Sequence, residues 1–385
     1  MLTSKPGSVS IAGRGIWIAA CLALSPVAGS DPLCAAAGFA DVNGDGKADA
    51  VTVTNSRFLQ NQVVVRLSNG TALLPAEEWA STPTRRMVSA TNTVFYFADV
   101  DGDGKADAIS IGASGASVRR SSGMGFQPVE QWSEPLSADY EVNIADVSGD
   151  GRADIVMTAV RSKLMTTGYQ TILVRLSDGT GFLPARGWGQ LTKPVELGLI
   201  DMPFVRVRDL DGDHRADLLE AGKLVDDGCC NAFVHKSRNF LQIDQFGGGL
   251  TRVESFGSAQ SWPTLLAYAY YHVLADVTGD GKADLVKIGV LPYPGPGAFG
   301  NGYLVSVSTG TQFAPMTPWT SSINDPSQRH VVDVTGDGAA DAVEVEASGI
   351  YVRRSNFQPG SPGTAFLALE TWSVENLGGN VPICF

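Results

Sequence analysis

One nine-residue pattern, Asp-Val-x-Gly-Asp-Gly-x-Ala-Asp, occurs six times in the 385-residue chain with minor substitutions, and it constrains the fold more than any other feature. The copies begin at Asp41, Asp99, Asp146, Asp209, Asp276 and Asp333, at intervals of 58, 47, 63, 67 and 57 residues. Repetition at such a period marks a solenoid, a propeller or an array. Every copy sits in the same frame. A β-type run precedes it (residues 93–97, 140–144, 205–207, 271–274) and another follows it (50–53, 108–111). A third run (63–67, 172–176, 303–307) leads into the turn pairs Asn69-Gly70, Asp178-Gly179 and Thr309-Gly310. A fourth segment ends in an aromatic residue, at Trp79, Trp132, Trp188, Phe256, Trp319 and Trp372, which inter-blade packing explains. No segment combines a 3.6-residue apolar period with helix caps. The unit is therefore four short strands. Six such units predict an all-β fold, a β-propeller of six four-stranded blades over residues 31–385, with length to spare for a seventh degenerate blade.

The acidic loop joins the first and second strands of each unit. Oxygen-bearing side chains at its positions 1, 3, 5 and 9 converge on one point. These are Asp41, Asn43, Asp45 and Asp49; Asp99, Asp101, Asp103 and Asp107; Asp146, Ser148, Asp150 and Asp154; Asp209, Asp211, Asp213 and Asp217; Asp276, Thr278, Asp280 and Asp284; Asp333, Thr335, Asp337 and Asp341. Hard cations such as Ca²⁺ take six to eight oxygen ligands, so up to six Ca²⁺ ions are expected, in a structural role. The loops contain 20 of the 40 acidic residues, which makes the net charge of −12 mostly a property of these sites. An EF-hand is excluded by strand-like flanks and by Thr52, Ser110, Met157 and Lys287 where a bidentate Glu belongs. The fourth loop carries His214 where the others have Gly, which predicts a strained turn and the weakest site.

Residues 1–30 read as a secretory signal. Lys5 and Arg14 precede an apolar run over 15–24, and Ala28-Gly29-Ser30 follows as a small-residue cleavage site. A secreted or periplasmic protein is expected. No other segment is long and apolar enough to span a membrane. An excess of 40 acidic over 28 basic residues argues against nucleic acid as a partner. Beyond the signal remain Cys34, Cys229, Cys230 and Cys384, an even number suited to disulfides in an exported chain. Cys34 and Cys384 lie at opposite ends, so a closed ring would bring them together; Cys229 and Cys230 are adjacent. Four free thiols are the alternative. No Gly-x-Ser-x-Gly elbow, His-Glu-x-x-His pair or phosphate loop is present, and a non-enzymatic role is expected.

The six Asp loops with β-runs on both sides resemble the FG-GAP/VCBS repeats, which build the N-terminal propeller of integrin α chains. The tails Asn69-Gly70-Thr71…Leu74-Pro75…Trp79 and Asp178-Gly179-Thr180-Gly181-Phe182-Leu183-Pro184…Trp188 are similar to the bacterial form, found in secreted proteins and insecticidal toxin complexes. A calcium-containing fungal lectin propeller is also similar. The resemblance implies a calcium-binding β-propeller. The Phe-Gly and Gly-Ala-Pro pieces of the integrin repeat are mostly missing here, and Gly38-Phe39 reverses the first. Integrin-like propellers bind on the face opposite calcium. There the strand 2–3 and 4–1 connections vary most, and Tyr293, Phe299 and Tyr303 offer aromatic platforms for a carbohydrate or protein ligand. The main expectation is a secreted binding or adhesion module. The alternatives are a polysaccharide lyase or hydrolase on a propeller scaffold, and a purely structural surface protein.

Overall fold

The computed structural model describes residues 34–35, 37–55, 61–81, 94–112, 114–137, 140–159, 171–191, 204–224, 230–243, 250–266, 270–289, 302–320, 323, 328–357, 365–375 and 383–384. None of them is helical. The signal segment, Cys229, Tyr293 and Phe299 lie outside the described residues.

The β-branched runs between the turns form six antiparallel four-stranded blades. Blade 1 is Ala37–Ala40, Asp49–Asn55, Asn61–Arg66 and Glu77–Ser81. Blade 2 is Val94–Ala98, Asp107–Gly112, Gly115–Arg119 and Glu130–Gln131. Blade 3 is Tyr140–Ala145, Asp154–Ala159, Thr171–Arg175 and Arg186–Gln190. Blade 4 is Phe204–Arg208, Asp217–Leu224, Cys230–His235 and Gln260–Leu266. Blade 5 is Tyr270–Ala275, Asp284–Gly289, Gly302–Ser306 and Thr317–Thr320. Blade 6 is Arg329–Val332, Asp341–Glu346, Gly349–Arg353 and Glu370–Ser373. The first strands contact one another in order around the centre, and that of blade 6 meets that of blade 1, so the ring is closed with six blades.

Both faces of each blade are covered by its neighbours, which is why the second strands read as apolar runs rather than alternating ones. The core accordingly divides into six apolar clusters, one per seam. The terminal Trp of a blade meets an aromatic ring from the next blade edge-on: Trp79–Phe126, Trp132–Phe182, Trp188–Phe256, Trp262–Phe313 and Trp319–Phe366, with centroids 5.1–5.7 Å apart. Such pairs contribute about 0.5–1.5 kcal/mol each beyond the area they bury. At the closing seam Leu73 stands in place of the Phe, and its N–H donates to the Trp372 carbonyl at 3.3 Å.

Blade 4 departs from the others. A hairpin, Ser237–Ile243 with Leu250–Phe256, is inserted between its third and fourth strands. In blades 1, 2, 3 and 5 this place holds a short turn whose ends pair as Ser68 with Leu73, or Ser121 with Phe126. Phe256 pairs with Ser237 in the same way, so Phe256 is the counterpart of Phe126, and Trp262 is the terminal aromatic of blade 4. The sequence spacing assigns that place to Phe256 instead. The insertion displaced the repeat frame there.

The chain ends meet. Cys34–Ala35 pairs antiparallel with Ile383–Cys384, in a register that sets Cys34 opposite Cys384. Ile383 also pairs, parallel, with Phe95 on the first strand of blade 2. Every blade is contiguous in sequence, so this terminal pair and the Arg66–Glu375 ion pair at 2.6 Å reinforce the seam the chain does not cross.

Candidate metal centre

Each Asp loop turns sharply because two residues, glycines in five of the six copies, adopt left-handed backbone; in the first copy Gly44 and Gly46 sit at φ 79° and 82°. That geometry aims two N–H groups at the position-1 carboxylate. Gly44 donates to Asp41 Oδ1 at 2.7 Å and Gly46 to Oδ2 at 2.8 Å. The same two bonds recur at Asp99, Asp146, Asp209, Asp276 and Asp333. In the fourth copy the second donor is His214, the one non-glycine among the described residues at positive φ, 65°. The expected strained position is there, yet the bond to Asp209 is kept at 2.8 Å.

Position 5 faces solvent. Asp45, Asp103 and Asp280 pair with the lysines two residues on at 2.8–3.0 Å, and Asp150 pairs with Arg152. Exposed pairs of this kind contribute about 0–1 kcal/mol.

Position 9 is the keystone of the blade. Asp49, Asp107, Asp154, Asp217, Asp284 and Asp341 are wholly buried. One oxygen accepts the position-2 N–H, as from Val42 to Asp49 at 3.1 Å. The other accepts the N–H of a serine at the end of strand 3, as from Ser68 at 2.8 Å. That serine, one of Ser68, Ser121, Ser177, Ser237, Ser308 and Ser355, donates its hydroxyl to the position-2 carbonyl of the preceding blade at 2.5–2.6 Å. Alongside, the position-8 N–H donates to the position-1 carbonyl of the preceding blade at 2.7–2.8 Å in all six seams. The serines were not singled out in the sequence, because their distance from the loop varies between blades. Burial, reinforced by the neighbouring loop carboxylates, pushes the position-9 carboxyls up, to about 7 at Asp107 and about 8 at Asp217, against the opposing pull of their backbone donors.

Among the described residues, two loops gather three carboxylates with oxygens within 4.8 Å of one another: Asp99, Asp101 and Asp107, and Asp209, Asp211 and Asp217. They are the two copies with Asp at position 3. Burial and the Asp103 charge raise the Asp101 carboxyl above its ordinary value, a sign of crowded negative charge. Oxygen-only carboxylate sets suit a hard divalent cation. In three other loops position 3 turns inward, with the hydroxyls of Ser148, Thr278 and Thr335 donating to the position-1 carboxylate at 3.2–3.3 Å. Asn43 accepts the Asp45 N–H at 3.0 Å. Position 5 belongs to neither gathered group.

Tyr303, expected as a ligand platform, is fully buried at the seam of blades 5 and 6, its ring 5.3 Å from Phe366. The apolar core claims it because strand 3 of blade 5 is covered on both faces, so it is not available to a ligand.

The pattern of the first three blades has a counterpart among known families: residues 41–110 and 99–157 match the FG-GAP-like repeat. Residues 41–157 of this chain carry FG-GAP-like repeats. The six-bladed propeller is similar to a lectin of Agrocybe aegerita studied for specific recognition of non-reducing terminal N-acetylglucosamine. The two share 22% identity over 88% of this chain and 80% of the lectin, with a TM-score of 0.55. It also matches a Photorhabdus luminescens Tc holotoxin pore, at 16% identity and TM-score 0.47 over 87% of this chain and 14% of that one. A V. cholerae biofilm matrix protein matches at 12% identity and TM-score 0.29, over 89% and 81% of the two chains. No curated protein matches the sequence of this chain significantly.

Proposed function

We propose that this protein is a secreted, calcium-binding propeller that acts as a non-catalytic recognition module for an extracellular glycan or protein. The observation that carries the reading is the combination of a closed six-bladed ring with carboxylates gathered in its Asp loops, on a fold shared with a glycan-recognising lectin. A rigid ring whose seams repeat the same hydrogen bonds holds variable loops at fixed positions, which suits recognition. Ca²⁺ would sit in the Asp loops, first at Asp99, Asp101 and Asp107, and would relieve the repulsion between carboxylates that burial has brought together. The register of Cys34 against Cys384 supports an oxidising destination. Directly opposed antiparallel residues have Cα atoms about 4.5–5.5 Å apart, within disulfide range. Peptide mapping without reductant should recover a linked Cys34–Cys384 pair.

A glycan array, including glycans with terminal N-acetylglucosamine, probed with mature protein in calcium and again in chelator, tests the function. Selective, calcium-dependent signal is expected. A blank array from folded protein would move the reading to a protein ligand. New reducing ends or unsaturated products from polysaccharides would overturn the non-catalytic role.

A further inference from the structure

The two loops richest in carboxylate differ in what faces position 3. The residue just before the strand-3 serine is Arg120 in blade 2 and Lys236 in blade 4. Arg120 pairs with Glu130 at 2.9 Å and acts on Asp101 only from beyond ion-pair distance, where its charge still favours the ionised carboxylate. Among the described residues no ammonium or guanidinium lies within ion-pair distance of Asp101. Lys236 does the opposite. Its Nζ donates to Asp211 Oδ2 at 2.7 Å and to the Gly310 carbonyl of blade 5, also at 2.7 Å, and it lies 5.8 Å from the centroid of the Trp262 ring. Two short charge-assisted bonds and an aromatic face hold the ammonium in one place.

We infer that Lys236 is the resident cation of the fourth loop, taking the role that a divalent ion has in the second, so that this loop neither needs nor takes Ca²⁺. The inference rests on the calcium reading of the Asp loops and concerns which of them it applies to. The ammonium neutralises the position-3 carboxylate and spans from the loop of blade 4 to the turn of blade 5. An incoming ion would have to displace it from both partners. The distinction does not lie in the backbone. His214 replaces glycine, yet its N–H reaches Asp209 at the same distance, 2.8 Å, as that of Gly104 reaches Asp99. Loop 4 is thus built like loop 2 and differs in carrying its own charge partner.

Counting bound Ca²⁺ by native mass spectrometry on the mature protein and four variants tests this. Lys236→Met keeps an unbranched stem one atom shorter and removes the charge; it should bind one ion more than the parent protein. Asp211→Asn should leave the count unchanged, and Asp101→Asn should lower it only at calcium concentrations that just fill the parent's tightest site. Circular dichroism and a thermal scan on the same samples verify folding. If Lys236→Met does not fold, Lys236→Gln repeats the test with a neutral hydrogen-bonding side chain. A parent count that Asp211→Asn lowers by one overturns this inference and leaves the calcium reading intact, as does an unchanged count in folded Lys236→Met. A parent protein that binds no Ca²⁺ in any loop overturns both.

Discussion

Loops 2 and 4 start from nearly the same sequence, Asp-Val-Asp-Gly-Asp-Gly-Lys-Ala-Asp and Asp-Leu-Asp-Gly-Asp-His-Arg-Ala-Asp, and reach the same backbone hydrogen bonds. Each gathers three carboxylates within 4.8 Å. Their electrostatic states nevertheless differ, because Lys236, outside the loop, bonds Asp211 directly, whereas Arg120 pairs with Glu130 and reaches Asp101 only at longer range. The count of acids in a loop therefore sets its demand for a cation but not who meets it. The answer comes from the strand-3 end that folds back over the loop.

The largest effect should be the same in both loops. Asp107→Ala and Asp217→Ala each strand two buried N–H donors, those of Val100 and Ser121 or of Leu210 and Ser237. Each should lower stability by on the order of 3 kcal/mol in urea unfolding, calcium or not. A clear inequality between them would break the claim that position 9 does the same work in every blade.

Position-3 partners should then separate the loops. In chelator, Lys236→Met should lose about 2 kcal/mol, since a hydrogen-bonded charge is removed from a half-buried carboxylate. Arg120→Met should lose no more than about 0.5 kcal/mol, because it breaks an exposed pair. Added Ca²⁺ should restore Lys236→Met and leave Arg120→Met little changed relative to the parent.

A calorimetric titration sharpens the contrast further. Asp101→Asn should weaken the tightest calcium site about tenfold, because affinity follows the carboxylate count. Asp211→Asn should leave the titration as it was. The smallest effect concerns the backbone. His214→Gly should stabilise loop 4 by about 1 kcal/mol, and Gly104→His should destabilise loop 2 by a similar amount, since a left-handed backbone disfavours a side chain. Thermal midpoints of the two variants check this pair.

Much of the molecule was legible in the chain. The six copies with their flanking runs give the four-stranded unit, the all-β class and the position of every loop, because repeat spacing and strand alternation are local properties; the contact between the first strands of blades 6 and 1 decided for six blades over seven. The glycines and the positive φ at His214 were legible for the same reason. The inter-blade role of the terminal tryptophans followed from their regular place in the unit. Legibility failed where the frame was broken or where distant segments meet. The inserted hairpin hid Trp262 behind Phe256. The aromatic character of Tyr303 suggested a surface platform, but burial between two blades is set by what covers the strand.

The sequence by itself determined the ring, its six acidic turns and the proximity of its ends, since each is written in local pattern or follows from closing a cycle. Tertiary structure alone decided that position 9 bridges two strands and a turn, that a serine 14–24 residues further on locks it to the preceding blade, and that Lys236 reaches Asp211 across 25 residues. These outcomes depend on which hydrogen-bonding and charged groups arrive at the same point when strands pair and blades pack. Contact between distant segments leaves no period in the chain.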